Sequence, residues 1–142
     1  MSIGRIIVFG MYSIVAALTF LFGVIYLTRK QFMPYHAQAV ETPWEKVDSK
    51  FQVLLIALLK VAGGGMLSNS LAIVCLLFLA FMPGAGWANP ALFVISLSEG
   101  LANLWATSIV KFKSKANPPW LLSLIIVCLS VAGFILGFIF PK

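Results

Sequence analysis

Four long apolar runs, separated by one long polar segment and two short breaks, set the pattern of this chain. Ile6 to Leu27 is 22 residues without a charge, enough to cross a bilayer as a helix. It is longer than a signal-peptide core and ends without a small-x-small cleavage site, so it reads as a retained first helix. Within it Tyr12, Ala16, Thr19 and Gly23 recur at helical spacing and give one smaller, more polar face. Phe51 to Met82 is 32 residues, about 48 Å as a straight helix against a hydrocarbon core of about 30 Å. Lys60 prefers a membrane surface, so the first turns of this helix are expected outside the core and Val61 to Met82 inside it. Ala91 to Val110 and Trp120 to Phe140 complete the set. The pattern predicts an all-α polytopic membrane protein, a single domain folded as an antiparallel bundle of four transmembrane helices.

The breaks carry their own signals. Residues 28–50 form the one substantial polar segment, with Tyr35, His36 and Trp44 as its candidate functional side chains. Pro34 disfavours helix at Met33. Thr42-Pro43-Trp44-Glu45 has the form of a helix start: Thr as N-cap, Pro at the first position and Glu returning to the cap. The second span is therefore expected to have an interfacial lead-in from residue 43, anchored by Trp44. Pro83 to Pro90 (PGAGWANP) is an uncharged tight connection, and Ala116 to Pro119 is a short turn. Two small-residue strips predict close helix packing: Lys60, Gly64, Ser68 and Ala72 on the second span, and Gly133 with Gly137 in GxxxG spacing on the fourth. Gly63-Gly64-Gly65 lacks the spacing and the Lys-Ser/Thr pair of a phosphate-binding loop.

Composition sharpens this picture. The chain is 61% hydrophobic and 10% charged, where a soluble domain carries about 25% charged residues. The net charge of +6 does not point to nucleic acid, because the basic residues sit at the ends of apolar runs as topology signals. Arg29, Lys30, Lys46, Lys50, Lys111, Lys113 and Lys115 lie on one side of a four-span fold, and Arg5 and Lys142 on the other. The bias puts the 28–50 and 111–119 loops in the cytoplasm and both termini outside, with Arg5 against the trend. Cys75 and Cys128 lie deep in apolar runs without ligand spacing and behave as small hydrophobes. With one histidine, no metal site is expected, and no cofactor fingerprint is present.

Glu99 is the single acid inside an apolar run. A carboxylate at bilayer depth costs at least about 2.5 kcal/mol by insertion scales, so it needs a partner, a proton or a water-filled cavity. Ser96, Glu99, Asn103 and Thr107 share one face of the third span. If Met82 and Ala91 flank one turn, Glu99 comes level with Val74 and Asn103 with Ser70. Lys60 is then about 20 Å from Glu99, which argues against an ion pair. Aligning Leu27 with Lys60 brings Tyr12 and Ser13 to the depth of Glu99. The expected site is a buried polar layer of Glu99, Asn103, Asn69, Tyr12, Ser70 and Ser96, with burial raising the Glu99 pKa. It is either a proton- or ligand-binding site or hydrogen-bonded glue between helices.

The Tyr26-Leu27 end of the first span, the long loop after it, Lys60-Val61-Ala62-Gly63-Gly64, a polar third helix and Asn117-Pro118-Pro119-Trp120 together resemble the DoxX-like group of small bacterial four-helix membrane proteins. That resemblance covers most of the chain, with Lys60 standing where an arginine is expected. It implies a bacterial inner-membrane location and, for some members, company with quinone-linked oxidoreductases; it transfers no catalytic residue. Small multidrug exporters share the size and one membrane glutamate, but theirs lies in the first helix. The expected function is non-catalytic: binding a partner membrane protein, a second copy of the chain or a small apolar ligand between the helices. A proton-coupled transporter using Glu99 is the alternative, and a membrane enzyme acting on lipid or quinone through His36 is a further one.

Overall fold

The computed structural model describes residues 2–140. Among them are five α-helices and no strand: α1 (Ile3–Thr28), α2 (Pro34–Val40), α3 (Ser49–Leu76), α4 (Ala88–Lys113) and α5 (Trp120–Ile139). A π-helical turn, Leu77–Phe81, continues α3. Four helices, α1, α3 with its π turn, α4 and α5, are long and apolar enough to cross a membrane. The protein is thus all-α and polytopic. The tightest pairs are α1 with α3 and α4 with α5; α1 also packs along α5, and α3 along α4.

The core is narrow and built from small and medium side chains. Val8, Tyr12, Val15 and Ala16 of α1 meet Ile73, Leu77, Ala80 and Phe81, Ala88 and Leu92 of α4, and Ile126 of α5. Large apolar residues such as Ile14, Leu71, Leu79, Trp105 and Ile135 point outward, as expected where the surroundings are as apolar as the interior and small residues let helices approach. Tyr12, Ala16, Thr19 and Gly23 all lie on the buried face of α1.

Local chemistry explains the helix ends and corrects several expected ones. The 28–50 segment contains a short helix, α2, that the pattern did not predict. Met33 is extended before Pro34, and Pro34 opens α2 from its first turn, where its missing N–H leaves no bond unmade. Thr42 is not the cap of the next helix. Its hydroxyl donates to the Val40 carbonyl at 3.0 Å, and Trp44–Lys46 is an isolated 3-10 turn. The cap is Asp48, whose carboxylate accepts from the Lys50 N–H at 3.0 Å. Gln52 ties the lead-in to α3 by donating to the carbonyls of Trp44 (2.8 Å) and Val47 (3.1 Å).

At the other end of α3 the Met82 N–H reaches back five residues to the Leu77 carbonyl, and Ala85 to Ala80, both at 2.9 Å. This wider winding ends the helix before Pro83, which has no N–H to continue it. Gly84 then takes a left-handed φ of 90° to turn the chain. α4 starts at Ala88 rather than Ala91, with Pro90 accommodated in its first turn.

The small-residue strip of α3 runs one residue away from the expected one. Gly63 is the close contact: a Cβ there would meet the Gly23 carbonyl oxygen and the Leu27 nitrogen, each at 2.9 Å. Gly64 has open space around it, Ser68 is exposed and Ala72 only half-buried. The buried residues are Leu59, Gly63, Ser70 and Ile73. On α5 the GxxxG pair does pack, Gly133 beneath the Tyr12 ring and Gly137 against the Asn89 amide.

Candidate functional site

The polar residues of the spans divide between two depths instead of forming one layer. α4 buries Ala88, Asn89, Leu92, Ser96 and Gly100. Glu99 and Asn103 flank that face and are half-buried. The Asn103 Nδ2 donates to Glu99 Oε1 at 2.9 Å, a pairing one helical turn apart on the same helix. Ser96 turns its hydroxyl back to the Leu92 carbonyl (2.7 Å), and Thr107 does the same to Asn103 (2.7 Å). On α3, Ser70 donates to the Ala16 carbonyl at 2.8 Å and so locks α3 to α1. The Asn69 Nδ2 is buried without a protein partner.

Tyr12 is not part of the Glu99 cluster. Its hydroxyl donates to Asn89 Oδ1 at 3.4 Å, and the Asn89 amide donates to the Phe134 carbonyl at 3.0 Å. Asn89 lies ten residues before Glu99 on α4, about 15 Å along a helix. The expected α1–α3 register is correct, as Lys60 meets the end of α1 and Ser70 meets Ala16. Glu99 does not gather the expected partners because it stands beside the buried face of α4 and not on it. Asn89 escaped notice because its place beside Pro90 reads as turn, although the pattern of an amide entering an apolar run was available.

One turn beyond Glu99, at Asn103, the helices leave a mainly apolar cavity of about 40 Å³ with several hydroxyl groups in its walls. Thr19 and Tyr26 of α1, Asn103 and Thr107 of α4 and Ser123 of α5 line it, with Met66 of α3 on one wall. The Thr19 hydroxyl is buried and has no partner in the chain, and the space exceeds the roughly 15 Å³ that one water requires. Thr107 Oγ1 is 3.5 Å from Ser123 Oγ, which links α4 to α5 at this wall. Lys60 is engaged elsewhere: its ammonium donates to the carbonyls of Tyr26, Leu27 and Arg29 and so caps the C-terminus of α1.

A larger, mainly apolar site lies where the 28–50 segment folds over the ends of α3 and α4. α2, the residues flanking the 3-10 turn and the first turns of α3 border a groove of about 560 Å³ walled by Phe32, His36, Val40, Phe51, Leu55 and, from α4, Val110. A second hollow of about 220 Å³ continues past Leu58, Leu59 and Ala62, with Phe32, His36 and Leu55 as the shared wall. Phe32 is buried and holds the Trp44 ring edge-on at 4.8 Å, so the aromatic anchor of the lead-in packs on protein. Another hollow, around Trp105 and Phe112, has walls from α4 alone.

His36 is the groove's principal polar group. Its Nδ1 accepts from the Met33 N–H at 3.3 Å, which leaves the proton of the neutral ring on Nε2 as a donor. Burial holds its pKa below the ordinary value near 6.5, so the ring is neutral at pH 7. The Tyr35 ring stands edge-on to it at 4.3 Å. Tyr35 itself shares a 2.5 Å hydroxyl–hydroxyl bond with Tyr26, and burial followed by that bond pushes its pKa up. The bond staples α2 to the end of α1. Among the described residues no three His, Cys, Asp or Glu side chains come together as a metal site.

No family model matches the chain, and neither the curated proteins nor the solved structures include a match.

Proposed function

We propose that this integral membrane protein binds, without turning over, a small apolar lipid-like molecule in the groove under α2. The groove itself carries the reading: about 560 Å³, within the range of ligand pockets, with aromatic and aliphatic walls and one well-placed donor. Its walls belong to the ends of two spanning helices, α3 and α4, so acyl chains of the bilayer have direct access to it. His36 contributes a neutral N–H suited to a carbonyl or ester oxygen on the ligand. The DoxX-like resemblance belongs to this proposal as an architectural expectation and assigns no residue a role.

The location we propose is a bacterial inner membrane, with the 28–50 and 111–119 segments cytoplasmic and both termini outside. Two observations support the arrangement. Asn117 N–H donates to Gln38 Oε1 at 3.2 Å, so the two basic segments share one end. Gly4 packs against Phe140, so the helices nearest the termini share the other.

A photoactivatable acyl-lipid analogue incorporated with the protein in nanodiscs tests the binding. Crosslinks are expected on Phe32, Val40, Phe51 or Leu55, and Ala39→Trp, which fills the groove, should reduce them several-fold. Labelling spread evenly over the outer faces of α3 and α4, and unchanged in Ala39→Trp, would count against the groove.

A further inference from the structure

The end of the bundle that carries the 82–87 turn holds an arginine that the topology signals leave unexplained. Arg5 stands opposite the basic residues that set the proposed orientation, yet it is not a loose surface charge. It is half-buried, and its Nη2 donates to the Phe81 carbonyl at the π-helical end of α3. Its Cζ lies 5.0 Å from the centre of the Phe81 ring, which orients the guanidinium plane. A guanidinium has five N–H donors, and the Phe81 carbonyl takes one direction of the fork.

The same side chain lines a cavity of about 300 Å³. Gly84 and Gly86 form part of its wall without contributing side chains, and nothing lies within 4 Å of a Cβ built on Gly86. Phe138 and Phe140 supply an apolar floor. The acids of the chain are distant in sequence from this end: Glu41, Glu45 and Asp48 belong to the opposite loop, and Glu99 lies well inside α4. A fixed cation, open space beside it and an aromatic floor form a receptor for a group that is anionic at one end and apolar at the other. Trp87, exposed next to the turn, has the character of a residue at headgroup depth.

We propose that this cavity binds the phosphate of a membrane phospholipid, Arg5 holding the phosphate oxygens and the phenylalanine floor taking the start of an acyl chain. Arginine suits the task because its planar fork matches two phosphate oxygens, which a lysine cannot reproduce. The proposal is independent of the groove at the opposite end, since it shares no residue with it.

The test uses delipidated full-length protein in a non-ionic detergent, with bound molecules counted by native mass spectrometry. The probes are short-chain phosphatidylglycerol, diacylglycerol with the same chains, and inorganic phosphate. One phosphatidylglycerol should bind about tenfold more tightly than the diacylglycerol. Arg5→Gln should remove that preference for one bound lipid, and Arg5→Lys should restore part of it. Equal binding of phosphatidylglycerol and diacylglycerol by the unaltered protein would overturn the proposal, whatever the variants do. So would undiminished phosphatidylglycerol binding by a folded Arg5→Gln. Displacement of the lipid by inorganic phosphate at similar concentration would overturn the lipid assignment and give the cavity to the free ion.

Discussion

His36 and Glu99 show how much a single side chain's behaviour depends on its immediate neighbours. His36 is neutral because burial among Phe32, Tyr35 and the start of α3 penalises its charged form. In the unfolded chain it takes up a proton near its ordinary pKa, while the folded chain resists until a lower pH. Between those two values the unfolded state holds more protons, so stability rises with pH there. Full stability from this residue is expected above about pH 6.5, with a decline as pH falls below it. Thermal unfolding in detergent between about pH 8 and pH 5 measures the slope, and His36→Gln should flatten it. Glu99 was expected to gather partners from three helices. It has Asn103 of its own helix, because it lies at the edge of the α4 buried face and not on it.

At the scale of the helix, position around the axis decides the role of otherwise identical residues. Gly63 and Gly64 are adjacent and chemically equal, yet one touches the backbone of α1 and the other touches nothing. Gly63→Ala presses a methyl to 2.9 Å from the Gly23 oxygen and the Leu27 nitrogen, and these cannot move aside independently of their helix. It should destabilise the protein by roughly 1–3 kcal/mol. Gly64→Ala meets no obstacle and should be neutral or stabilise by up to about 1 kcal/mol through reduced backbone freedom in the unfolded chain. Reversible unfolding of both variants in mixed micelles compares them directly. Equal effects would show that the α1–α3 contact seen at Gly63 is not made in the protein. A helical repeat read from sequence locates such a strip only to within one residue, since 3.6 residues per turn lets neighbouring positions trade places.

At the scale of the molecule, the orientation and the two end sites are linked. The groove at the end with 28–50 and the Arg5 cavity at the end with 82–87 lie at opposite ends of the bundle, and so at opposite membrane surfaces in the proposed arrangement. Exposed Gly86 and Asn117 mark those surfaces. In a background of Cys75→Ala and Cys128→Ala, Gly86→Cys should react with a membrane-impermeant thiol reagent added outside intact cells. Asn117→Cys should react only after permeabilisation, and the reverse pattern would invert the proposed topology.

The number of spans, their approximate ends and the all-helical class were legible in the sequence, because a bilayer demands long apolar runs whose backbone bonds close internally. The α1–α3 register followed from the charge at Lys60, which has few places to go. What the tertiary structure decided was which polar residues meet. Tyr12 with Asn89, Gly63 with Gly23, and His36 within an apolar groove all depend on how the 82–87 turn and the 28–50 segment bend. Those bends come from a π-helical turn, a left-handed glycine and a short helix on Pro34, where a few local hydrogen bonds outweigh any periodic signal. Glu99 therefore keeps the place on its helix that the pattern assigned, and is left with Asn103 because packing turns Ser96 and Gly100, not Glu99, into the core.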